Sequence, residues 1–197
     1  MFRRRPFRRP RLRQRRPQPR PPLPRRAHRA LTRANRLMES GQHAEAADIF
    51  ERLSQGTERR GALVRAADLA LQASRAHFAA DDVEAALEWA RQTLRLFVRS
   101  GRVGRVSRLL SKMAAALRER GYDSQANQLE RDVEQALKEM GLSLDEAREQ
   151  APQATEKRGS LPSQCHGCGA PLLPDEVEWH DAHTAECPYC GTVVKAH

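Results

Sequence analysis

Acidic residues are missing from the first 29 positions, proline from positions 30–140, and cysteine from everything before position 165. Each gap excludes something. No run of 18 apolar residues exists either, so no segment reads as a membrane-spanning helix. Aromatic residues make up only 5% and hydrophobic residues 39% of the 197. That is low for a chain with one large core and fits a substantial share outside it. The chain also lacks G-x-x-x-x-G-K-[ST], G-x-G-x-x-G, H-E-x-x-H and G-x-S-x-G. Phosphate-binding loops, dinucleotide sites, zinc-protease helices and nucleophile elbows are therefore not signalled. Neither enzyme activity nor a small-molecule substrate is expected. Paired acidic residues exist, such as Asp81-Asp82, but at the start of an amphipathic helix they read as a cap and a solvated face.

The formal net charge is +10. Residues 1–29 hold 13 arginines and 7 prolines, and the rest of the chain carries 22 basic against 25 acidic residues. The positive character thus belongs to the N-terminal segment, and the remainder is mildly acidic. Proline blocks helix and the arginines repel one another, so residues 1–29 are expected to be a disordered, extended arm. Such an arm attracts polyanions, including nucleic acid. The bland alternative is a solvated extension, and 31 arginines to 4 lysines is also what a GC-rich genome writes. The segment lacks the apolar stretch of a secretory signal, so a cytoplasmic, reducing setting is expected.

Residues 30–140 carry alanine and larger apolar residues at helical spacing. Comparing the segment with itself gives a 40-residue period. Gly41, Asp81 and Gly121 align as turns; Ala34, Ser74 and Ala114 lie seven before; Ala46, Ala86 and Ala126 lie five after; Ile49, Trp89 and Leu129 lie eight after. Small residues at fixed places let paired helices approach closely. Six helices are predicted, paired over roughly 30–54, 58–98 and 102–140, with Phe50, Phe78, Trp89, Leu94 and Phe97 in the core. Ser143 followed by Glu146 is a capping box, which predicts a short helix to about residue 150. Residues 151–164 read as a flexible linker.

This pattern resembles the tetratricopeptide repeat, most closely in Arg33-Ala34-Asn35 through Gly41 to Ala46 and Phe50. It departs in its period of 40 rather than 34 and in Glu130, where an aromatic is usual. The resemblance implies mainly α structure built from helical hairpins that bind a protein partner, with a plain helical bundle as the alternative. In relatives that grip a partner's C-terminal carboxylate, basic and amide side chains project from the first helix of successive repeats. Here that implies a groove bearing Asn35, Gln72, Arg108 and Lys112, with Leu31 where the family has a lysine.

The four cysteines form Cys165-x-x-Cys168 and Cys187-x-x-Cys190, separated by 18 residues. Two such turns deliver four thiolates to a tetrahedral Zn²⁺ and leave no open position, which predicts one structural zinc. Disulfide pairing and a thioredoxin-like site are the competing readings. His166, His180 and His183 lie nearby but are surplus to a filled shell. The segment 165–197 resembles a two-knuckle zinc ribbon, a small β-rich unit that depends on its metal. Loss of one cysteine is expected to unfold it while sparing the helices, because a polar linker intervenes. Its charges are Asp175, Glu176, Glu178, Asp181 and Glu186 against Lys195, the wrong sign for gripping phosphates. Two functional expectations follow: a non-enzymatic zinc-binding adaptor or scaffold for protein partners, and a nucleic-acid-associated protein acting through residues 1–29.

Overall fold

A computed structural model describes residues 21–149 and 158–197. The fold is mainly α: six helices packed in sequence, each antiparallel to the last, followed by a short seventh helix and a small C-terminal sheet. The helices are Arg25–Glu39 (α1), His43–Glu58 (α2), Leu63–Ala79 (α3), Val83–Arg99 (α4), Val103–Glu119 (α5), Asp123–Glu139 (α6) and Leu144–Glu149 (α7).

One local device ends all of the first six helices. A residue with positive φ stands at 41, 61, 81, 101, 121 and 141, every twentieth position. The next amide reaches back across it: Gln42 N to Leu37 O, Ala62 to Thr57, Asp82 to His77, Arg102 to Phe97, Tyr122 to Leu117 and Leu142 to Leu137, all at 2.9–3.2 Å. This six-to-one bond satisfies a carbonyl that the helix end would orphan. Glycine fills five of the six sites because the left-handed conformation strains a Cβ; Asp81, at φ 61°, is the exception.

The 40-residue period is therefore two 20-residue steps. The expected break at 55–57 is not there, and α2 continues to Glu58. Gly56 sits inside the helix, while Gly61 takes the positive φ. At the N-terminus, α1 begins at Arg25, so residues 25–29 are helical rather than part of the arm. The Arg65 guanidinium donates to Pro21 O at 2.7 Å and Leu23 packs on the core, which ties down the entry to α1. Residues 1–20 of the arm expected over 1–29, and positions 150–157, which cover the start of the expected linker, lie outside the described residues.

Aligned small positions do the close packing. Ala34, Ala46, Ala86, Ala114 and Ala126 are buried, as are Phe50, Leu94 and Phe97, while Trp89 and Phe78 pack at the edge. Ser54 Oγ donates to Ala66 O and Ser74 Oγ to Ala86 O, at 2.9 and 2.8 Å, so these small polar residues also bridge neighbouring helices. Asp82 caps α4 by accepting from Ala85 N at 3.1 Å. Ser143 and Glu146 form the reciprocal box at the start of α7.

The C-terminal sheet has strands Glu178–Trp179 (β1), Thr184–Glu186 (β2) and Val193–Lys195 (β3), antiparallel in that order. Ala185 pairs with Trp179 on one side and Val194 on the other. Ser160 and His197 exchange both backbone bonds, and Gln164 bridges Pro171. Residues 159–164 are therefore part of this unit rather than a free linker. Two cores result. One joins α3 to α7. The other is shared: Leu31, Leu37, Phe50, Leu69 and Ala73 of the helices pack with the four cysteines, Leu172, Tyr189 and Val194.

Candidate metal centre

The two cysteine turns face each other beside β2 and β3. Gly169 N donates to Cys165 O and Gly191 N to Cys187 O, at 2.8 and 3.0 Å, closing each turn. These amides bond carbonyls rather than sulfur. The amide that reaches a sulfur is that of Thr192, 3.4 Å from Cys190 Sγ. Gly167 lies against Thr192, and a Cβ there would come within 2.3 Å of Thr192 Oγ1. The two turns can approach this closely only because position 167 has no side chain.

All four sulfurs are buried and lie within 4.8 Å of one another. Cys165 and Cys190 sulfurs are 3.6 Å apart, and those of Cys168 and Cys187 are 3.9 Å apart. Bonded sulfurs would sit at about 2.05 Å, and all four cysteines are free. A tetrahedron of thiolates about 2.3 Å from a metal has edges of about 3.8 Å, so the set fits one ion. Crowded together, the thiols hold their protons unequally. Hydrogen bonding with Cys168 holds Cys165 well below the usual thiol range, and the same partnership pushes Cys168 up. A cation removes that conflict by taking all four as thiolates. Among the described residues the three nearby histidines are not in the set. His180 instead contacts Glu186 at 3.2 Å, and His166 and His183 are exposed.

The centre does not stand apart from the helices. Asn35 Nδ2 on α1 donates to Cys168 O at 2.7 Å, a direct link from helix to cysteine cluster. Tyr189, between the ligands Cys187 and Cys190, is the largest fully buried side chain among the described residues. Its hydroxyl accepts from Gln72 on α3 and donates to Glu176 at 3.1 Å. Burial raises the Tyr189 pKa well above the usual phenol, keeping that proton in place. Arg75 meets both oxygens of Glu176, Lys112 on α5 pairs with Asp175, and Arg102 bonds Glu178 at 3.1 Å. The Lys112 ammonium outweighs the effect of burial and holds Asp175 below the ordinary carboxylate range.

Of the four groove positions, then, Asn35, Gln72 and Lys112 bond the chain's own C-terminal unit. Arg108 stands beside them, its pKa lowered by burial and by Arg105 while Asp175 opposes the shift. Leu31 is fully buried in the shared core. Two participants carried no recognised signal: Tyr189, hidden as an ordinary residue inside a turn, and Arg75. The 40-residue period does point to Arg75, which is the equivalent of Asn35, as Lys112 is of Gln72. Among the described residues no helix is long and apolar enough to cross a membrane. The chain matches no protein-family model, no curated protein and no solved structure.

Proposed function

We propose that this protein is a non-enzymatic zinc-binding scaffold, in which one structural Zn²⁺ on Cys165, Cys168, Cys187 and Cys190 folds a zinc-ribbon-like unit against tetratricopeptide-like helices. The observation that carries this reading is the joining of a four-sulfur site to the helices through Asn35, Tyr189 and Glu176. The donor set favours zinc, since four thiolates in a closed shell suit a structural rather than a catalytic ion. A rigid surface spanning both units is what an adaptor offers a protein partner.

The carboxylate groove reading takes a specific form here. Asp175 and Glu176 supply internally the acids that a partner's C-terminus would bring, so a peptide competes with them for Lys112 and Arg75. The test is affinity purification of the full-length protein with and without nuclease, comparing wild type with the Arg108→Ala, Lys112→Ala pair, together with elemental analysis. The scaffold reading expects one zinc per chain and protein partners that survive nuclease. Metal-free protein after reducing purification, or loss of every partner with nuclease, refutes it. The second outcome is that of the competing reading, nucleic-acid association through residues 1–29, which the 13 arginines there favour.

A further inference from the structure

The first acidic residue of the chain is Glu39, and fifteen arginines precede it. Five of them, Arg25, Arg26, Arg29, Arg33 and Arg36, are on α1, and all five are exposed. Arg25, Arg29, Arg33 and Arg36 recur every three or four residues, about 6 Å or less apart along the axis. On α2, exposed Arg52 faces the same side. Arg29, Arg33 and Arg52 wall a groove of about 400 Å³ floored by Ala30, Ile49 and Leu53, with no carboxylate in its lining.

Many of the arginines elsewhere are neutralised, although Arg60, Arg95 and Arg131 have no carboxylate partner among the described residues. Arg75, Arg91, Arg99, Arg102, Arg105, Arg118 and Arg120 each pair with a carboxylate. Among the described residues, none of the six on α1 and α2 does. A row of unneutralised guanidinium groups raises a strong local potential and costs stability through self-repulsion. Phosphates relieve that repulsion, and guanidinium suits them through its bidentate fork.

We propose that this α1–α2 groove is a binding site for the phosphate backbone of single-stranded nucleic acid. The walls track the backbone, and the aliphatic floor receives sugar and base edges. The lining holds no aromatic side chain for stacking and few groups to read bases, so binding is independent of sequence. A membrane surface fits less well. The bulky apolar face of α1, with Leu31 and Leu37, is buried inward, so little remains to enter lipid. The proposal goes beyond the scaffold reading and stands on separate residues; its failure leaves the zinc unit and its partners untouched.

The experiment measures affinity of the full-length protein for a labelled 20-nucleotide oligouridine between 50 and 300 mM salt. Matched duplex DNA and phosphatidylserine vesicles form the comparison arms. Arg29→Gln, Arg33→Gln, Arg52→Gln together should lower the slope of log affinity against log salt by about 2, near 0.7 for each phosphate no longer neutralised. The lysine triple at the same positions should restore the slope. Arg60→Gln, Arg131→Gln, Lys138→Gln, an equal charge change elsewhere, should leave it at the wild-type value. A groove triple with the wild-type slope overturns the proposal, as does a control triple whose slope falls as far. A fall confined to the duplex or to vesicles overturns the choice of a single strand as occupant.

Discussion

Glu176 is 4% exposed and carries an acidic side chain into the space between sheet and helices. Arg75 meets both of its oxygens, and Tyr189 donates to one of them. A buried carboxylate tolerates this only while its partners stay, because burial costs a charge several kcal/mol. Arg75→Ala should therefore destabilise the protein by about 2–3 kcal/mol, read by denaturant unfolding. Glu176→Gln with Arg75→Ala should recover part of that loss, since the uncompensated charge goes too. The Lys112–Asp175 pair is more exposed and worth less. Its pH dependence has a definite sign. Asp175 is held below the ordinary aspartate value, so its contribution is full above about pH 4 and fades as pH falls through the lowered value. Release of a metal from the four thiolates in acid would have the same direction. The discriminating comparison is Asp175→Asn, whose acid unfolding should be shallower than that of wild type.

The helices obey a 20-residue rhythm set by their ends. Gly56 breaks no rule of geometry but weakens α2, where the nearest atom to an added Cβ is Arg59 Nη2 at 3.9 Å. Gly56→Ala should stabilise by about 0.5–1 kcal/mol. Asp81 occupies a site that five glycines fill in the other turns. Its bond to Arg120 is exposed and contributes little. Asp81→Gly should raise the melting temperature and Asp81→Ala should lower it, with opposite signs at one position. The turns at 41, 81 and 121 were readable from sequence because the residues around them align. The break at 99–101 also falls where the sequence puts it, between 98 and 102; only the one near 61 is misplaced, at 55–57, because the 40-residue alignment carries no marker there.

At the scale of the whole molecule, the C-terminal unit is bonded to odd-numbered helices, through Asn35 on α1, Gln72 and Arg75 on α3, and Lys112 on α5. It also shares a core with Leu31, Leu37, Phe50 and Leu69. The helices were expected to be spared by loss of a cysteine because a polar linker intervenes; a shared core instead couples their stability to that of the C-terminal unit. A strong chelator, or Cys187→Ser, should unfold the sheet and uncover that apolar face. Helical content at 25 °C should persist, but the helical melting temperature should fall by several degrees and a hydrophobic dye should bind. An unchanged helical melting curve would show that the units are energetically separate.

Cysteine spacing alone determined which four sulfurs cluster, because each short C-x-x-C turn brings a pair of thiols to one place whatever surrounds it. Helical periodicity and the recurrence of small residues determined the hairpins, because close-packed helices leave a local trace. What only the tertiary structure decided was where the two units meet. Gln72 and Tyr189 meet across 117 residues and Arg75 and Glu176 across 101, and no local pattern records an interaction of that range. The charge balance showed an acidic C-terminal unit and cationic helix positions. It took the fold to bring Asp175 to Lys112 and Glu176 to Arg75, because a side chain's neighbours depend on the path of the whole chain.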